Sequence, residues 1–277
     1  MKEDNNREKS VQDQWSVPLT RLADVGCLLV HGFNGGAYDM QELAAYLEAR
    51  GVVTNNMLLP GHGTHVWAMG TVTWKDWVAG VLAGYDAVWA RARRVVLIGH
   101  SLGGALVLYV AARRPVDGVV ALCAPLHMQP GLALLVGMAR WLLPYLPIVH
   151  QDIADPVARR AYATGAQGYA WTSLGAAHHI FRFLPHLEAA LPRVTVPALI
   201  VTARQDHVVP PADSREIYRR IGSTQKEFLE LPRSSHIVMK DYDQAELFAR
   251  VGRFIENIRR AADGDQPRRV SGDMKQA

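Results

Sequence analysis

Along most of the chain, short apolar runs alternate with stretches of helical periodicity. Cys27-Leu28-Leu29-Val30, Val52–Leu59, Arg94–Ile98, Val116–Cys123, Pro197–Thr202 and Phe228–Leu231 each read as a strand. Most of these runs are nearly unbroken in apolar character, which predicts strands covered on both faces. Helices are predicted from about Asp39 to Ala49, with Gly51 as its stop, and over Trp74–Ala92, Gly104–Ala112, Ser214–Ile221 and Gln244–Ile258. In Trp74–Ala92, the residues Trp77, Val78, Val81, Leu82, Tyr85, Val88 and Trp89 recur at i, i+3, i+4 spacing. That stripe is expected to face a core and needs no cofactor to explain it. Repeated strand–helix alternation places the chain in the α/β class, with a mostly parallel sheet flanked by helices.

One segment breaks the rhythm. Residues 126–193 contain no good strand and are helical or irregular, so they read as a helical insertion between two halves of one core, 16–125 and 194–261. Gly131–Val149 is very apolar, but Arg140, Pro144 and Pro147 interrupt it. A membrane span needs about 20 predominantly apolar residues, so a lid above the carboxyl ends of the strands is the expectation. A short extra strand near Trp15–Leu19 would bring the sheet from six strands to seven. Residues 1–15 and 262–277 are polar and charged and read as flexible termini.

Composition narrows the function by exclusion. The 277 residues are 49% hydrophobic and 20% charged, with a net charge of +4. The basic residues are scattered as Arg-Arg pairs, with no basic block interleaved with aromatics, so a nucleic-acid partner is not expected. Cys27 and Cys123 fall inside apolar runs, where thiols act as small hydrophobes, and no metal-ligand spacing is present. Met1–Gln14 lacks the apolar segment of a secretory signal, so a reduced cytoplasmic setting is expected.

The chemistry centres on Gly99-His100-Ser101-Leu102-Gly103, set between an apolar strand and an alanine- and leucine-rich helix. This is the strand–turn–helix context of a nucleophile elbow. The turn is so sharp that side chains at 99 and 103 would collide with the neighbouring strand and helix, which explains both glycines. A serine needs a base and a group that orients the base. Asp206 lies just past the strand Pro197–Thr202 and His236 just past Phe228–Leu231, in the order Ser, Asp, His. His236 is expected to take the Ser101 proton and Asp206 to hold the imidazole. His207 is the nearest rival base, but a residue adjacent to Asp206 does not suit this geometry.

Oxyanion stabilisation is expected from the backbone N–H groups of Leu102 and Phe33, the latter in the loop His31-Gly32-Phe33-Asn34-Gly35-Gly36. Asn34 is either a polar substrate contact or a turn residue. His31 is expected to brace this loop. His62 and His65 lie on a glycine-rich loop without carboxylates arranged around them, His100 fills the variable elbow position, and His178 and His179 have a hydrogen-bonding role. Leu134, Leu135, Met138, Trp141, Leu142 and Leu143 suggest an apolar pocket for an acyl or aryl group, with Leu134, Met138, Trp141 and Leu142 as substrate contacts.

Taken together, His31-Gly32-Phe33, Pro60-Gly61-His62-Gly63, Gly99-His100-Ser101-Leu102-Gly103-Gly104, Asp206 and Ser235-His236 resemble the α/β-hydrolase superfamily. Within it they are similar to bacterial carboxylesterases and monoacylglycerol lipases. The likeness runs from about Cys27 to Ile258. It implies an α/β-hydrolase fold with a small helical cap and a serine esterase without metal or organic cofactor. The apolar cap residues lead to the expectation of short- to medium-chain esters or monoacylglycerols as substrates, not a highly charged one, and of transient contact of the cap with a lipid surface. By position the resemblance makes Ser101, Asp206 and His236 the triad, and Phe33 and Leu102 the oxyanion hole. The same residues serve C–C hydrolases, perhydrolases and acyltransferases, and the fold also serves ligand-binding receptors that do not turn over.

Overall fold

The six apolar runs form six parallel strands, ordered across the sheet as Val53–Met57, Ala23–Val30, Ala92–His100, Gly118–Leu122, Ala198–Ala203 and Lys226–Leu231. The computed structural model describes residues 22–127, 130–148, 151–165 and 170–261. The elements are β1 (Ala23–Val30), α1 (Ala37–Glu48), β2 (Val53–Met57), α2 (Val66–Thr71), α3 (Trp74–Trp89), β3 (Ala92–His100), α4 (Leu102–Ala111) and β4 (Gly118–Leu122). They continue with α5 (Pro130–Ala139), β5 (Tyr145–Pro147), α6 (Pro156–Gly165), β6 (Trp171–Ser173), α7 (Leu174–Ala190), β7 (Ala198–Ala203), α8 (Pro211–Arg220), β8 (Lys226–Leu231) and α9 (Gln244–Ala261). The expected strand near Trp15–Leu19 lies outside the described residues.

Burial explains the strand composition. On one face of the sheet, Trp77, Val81, Tyr85 and Val88 of α3 pack with α4, Leu184 and Leu187 of α7 and Ile217 of α8. On the other, Met40, Leu43 and Leu47 of α1 meet Leu247, Val251, Phe254 and Ile255 of α9. Val78, Leu82 and Trp89 flank the first core, so the α3 stripe is packing throughout. Gly51 ends α1 at φ 75°, the left-handed conformation a helix stop requires.

The segment between β4 and β7 departs from expectation in one respect. It carries two strands, β5 and β6, paired antiparallel with Tyr145 opposite Ser173. Three-residue strands are too short for alternation to register, and Pro147 inside one of them argues locally against a strand. Among the described residues no helix is long and apolar enough to cross a membrane.

The topology places the site. After β1 the chain leaves towards β2 on one side, and β3 then pairs with β1 on the other. The loops leaving the carboxyl ends of β1 and β3 therefore diverge, opening the crevice where α/β sheets bind ligands.

Candidate active site

Ser101 stands at the end of β3 with φ 53° and ψ −121°, a conformation that non-glycine residues avoid. The neighbours impose it. A Cβ on Gly99 would lie 2.2 Å from the Gly103 carbonyl oxygen, and a Cβ on Gly103 would lie 2.2 Å from the Val30 carbonyl oxygen of β1. Both glycines are thus required by backbone alone. Ser101 N–H donates to the Leu122 carbonyl at 2.8 Å, tying the turn to β4.

His236 and Asp206 meet across two loops. The His236 Nδ1–H donates to Asp206 Oδ2 at 2.8 Å. Asp206 Oδ1 accepts from Val208 N–H at 2.8 Å and Val209 N–H at 2.7 Å. Burial opposes the Asp206 charge, but the hydrogen bond and charge of His236 and these backbone donors outweigh it and lower its pKa. The carboxylate thus holds the imidazole by Nδ1 and leaves Nε2 outside this pair. His207 turns away, its Nδ1 pairing with Asp152 Oδ1 at 2.9 Å.

The loop after β1 lies against the elbow, since a Cβ on Gly32 would come 3.1 Å from Ser101 Cβ. His31 braces it at both ring nitrogens: Nδ1–H donates to the Gly32 carbonyl at 2.8 Å, and Nε2 accepts from Leu59 N–H at 3.0 Å. His62 packs edge-on to that ring at 4.9 Å. Burial holds both neutral, with pKa values of about 4. Leu102 opens α4, and the first N–H groups of a helix have no intrahelical acceptor. Asn34 adopts φ 61°, which suits a turn, while its Oδ1 is buried without a hydrogen-bond partner among the described residues.

Three neighbours escaped the sequence. His100 does more than fill the elbow: its Nε2–H donates to the His236 carbonyl at 2.9 Å, and burial pushes its pKa down to about 3. Cys123, also at positive φ (49°), groups with Asp206 and His236, with ligand-type atoms within 4.8 Å of one another. Burial and the Asp206 charge push this thiol well up, so it stays protonated, which suits an S–H beside a carboxylate better than a metal-binding thiolate. Asp152 also bonds the His236 backbone N–H, at 3.2 Å.

In the segment above the sheet, Leu134, Met138, Trp141 and Leu142 are 66%, 58%, 77% and 84% exposed. They present an open apolar face. The expected hydrogen bonds of His178 and His179 are not seen at Nδ1: both atoms are buried without a partner among the described residues.

With this geometry in view, four likenesses bear on the chain. Residues 23–243 match the family described as serine aminopeptidase, S33. A thermostable monoacylglycerol lipase from Bacillus sp. (strain H-257) is 34% identical over 227 residues, covering 82% of this chain and 88% of the relative. A carboxylesterase from Bacillus subtilis (strain 168) is 22% identical over 236 residues, 85% of this chain and 94% of the relative. Among solved structures, one from work on the metagenome-derived lipolytic enzymes LipS and LipT superposes with TM-score 0.78 at 32% identity. It covers 85% of this chain and 95% of that one.

Proposed function

The chain belongs to the serine aminopeptidase S33 family of α/β-hydrolases and is a carboxylic ester hydrolase; on that premise we propose how it works and what it takes. Ser101 attacks the ester carbonyl, and His236 Nε2 accepts its proton and returns it to the departing alcohol. Asp206 stabilises the imidazolium that forms between the two steps. Phe33 and Leu102 N–H groups receive the oxyanion. A water activated by the same imidazole then releases the acid from the acyl-enzyme. The observation carrying this reading is the strained Ser101 turn at the same sheet edge as the bonded His236–Asp206 pair.

The substrate is a short- to medium-chain acyl ester or a monoacylglycerol. Residues 126–193 act as a cap. Leu134, Met138, Trp141 and Leu142 meet the acyl chain and touch a lipid surface in passing, and Asn34 offers a polar contact. This rests on their exposure and on the lipase and esterase relatives. The enzyme works in the cytoplasm, where its two buried thiols stay reduced.

The test combines a fluorophosphonate label with a substrate series: p-nitrophenyl esters of rising chain length, a monoacylglycerol and an aminoacyl p-nitroanilide. The label is expected on Ser101. Ser101→Ala is expected to lower ester turnover by about four orders of magnitude or more without moving the melting temperature. Absence of an adduct would favour a receptor that does not turn over. Preference for the anilide would make the chain a peptidase.

A further inference from the structure

His236 carries four polar groups, and the fold holds three of them from three different elements. Asp206, after β7, takes the Nδ1–H. His100, at the end of β3, donates to the carbonyl. The backbone N–H goes to Asp152, which lies between β5 and α6, far outside the loops of the pair. Among the described residues only Nε2 remains without a partner, the atom that must face Ser101.

The Asp152 carboxylate, 18% exposed, does more than accept this one bond. Oδ2 also accepts from His207 N–H at 3.0 Å, the peptide directly after Asp206, and Oδ1 accepts from the His207 ring at 2.9 Å. The Asp152 carbonyl accepts from Ile237 N–H at 3.1 Å. One residue therefore grips both the loop of the base and the loop of the orienting acid. A reciprocal carboxylate secures the grip. Asp241 accepts from Ala154 N–H at 2.7 Å and Asp155 N–H at 3.0 Å, and from Ser235 N–H at 2.8 Å beside the base. Charge-assisted bonds to backbone N–H groups are among the strongest available to an uncharged partner.

We propose that Asp152 is a positioning residue for the reaction, a carboxylate supplied by the segment between β4 and β7 that sets the His236–Asp206 pair in register. It touches neither substrate nor the reacting atoms and acts through the backbone of His236 and His207. The inference rests on the esterase reading above, and a displacement of about 1 Å at a catalytic group is enough to cost about a hundredfold in rate.

The experiment compares wild type with Asp152→Ala and with Asp152→Asn, which keeps the shape and one acceptor. Hydrolysis of p-nitrophenyl butyrate is measured with every rate divided by the fraction of Ser101 that a fluorophosphonate titrates. The low-field proton resonance of the His236–Asp206 bond is recorded alongside. The expected result is a fall in kcat of about ten- to a hundredfold for Asp152→Ala with KM within about twofold. Asp152→Asn is expected to lose less, and the resonance should shift or broaden in both. Unchanged kcat with an unshifted resonance overturns the proposal, and so does a loss confined to KM. Should Asp152→Ala not fold, Asp152→Asn alone carries the same criteria. A wild type that titrates no Ser101 defeats the esterase reading instead.

Discussion

The segment between β4 and β7 is built in two ways. Residues 151–165 are sewn to the sheet by carboxylates: Asp152 and Asp241 across the His236 loop, and Tyr162 O–H donating to buried Asp39 at 2.6 Å. Ile153 and Tyr162 join the core itself. Residues 130–146 instead turn Leu134, Met138, Trp141 and Leu142 outward. Directional bonds to ionised groups fix geometry, whereas apolar area attracts without choosing an orientation. The sewn part therefore suits the alignment of reacting groups and the apolar part suits the reception of a greasy substrate.

The largest effect is expected from acid, which acts on the sheet edge below both parts. His31, His62 and His100 ionise at about 4, 4 and 3 in the fold and near 6.5 when unfolded. As pH falls below 6.5 the unfolded chain binds protons that the native state refuses. Stability is thus complete above that pH and is lost progressively down to about 4. Up to three protons are taken up on unfolding, a loss on the order of a few kcal/mol, read from urea midpoints between pH 7 and 4.5. Asp39 works in the opposite sense: burial raises its pKa, so ionising it costs stability that returns on protonation. Insensitivity of the urea midpoint to pH would mean that these rings are not held neutral.

A smaller effect comes from cutting the seam. Asp241→Ala removes the acceptor of the Ala154, Asp155, Ser235 and Tyr242 N–H groups. It should cost about 2–4 kcal/mol in urea unfolding, with activity falling as His236 loosens. Little loss of stability would show the seam to be ornamental. Smallest in free energy is the outward face. Trp141→Ala with Leu142→Ala should leave stability within about 0.5 kcal/mol and p-nitrophenyl acetate hydrolysis unchanged. The rate on monoacylglycerol dispersed in vesicles should drop about tenfold, about 1.4 kcal/mol. Equal losses on both substrates would erase the distinction between the parts.

What the sequence disclosed follows the same division. The elbow was legible because its constraint is local: Gly99 and Gly103 are dictated by backbone atoms that the strand–turn–helix pattern already brings close. The meeting of Asp206 with His236 was legible because each follows a recognisable apolar strand, and parallel strands deliver their carboxyl ends to one edge. Asp152 and the contact made by His100 were not. Their partners are backbone groups 55 to 136 residues away, and a backbone N–H or C=O has no side-chain identity for a motif to contain. The direction of Leu134 and Trp141 was also hidden, because a run apolar on every side carries no stripe to say which face is inward.

The seam at Asp152 and Asp241 bears on how such enzymes are recombined. The intuitive way to exchange substrate preference is to cut at the two ends of residues 126–193 and transplant the whole piece. Such a graft would carry off the carboxylate that holds His236 and leave Asp241 facing unfamiliar backbone. A narrower exchange over 130–146 keeps both. The unit of modularity in this fold is smaller than the unit of insertion, and its border runs where the last carboxylate is shared.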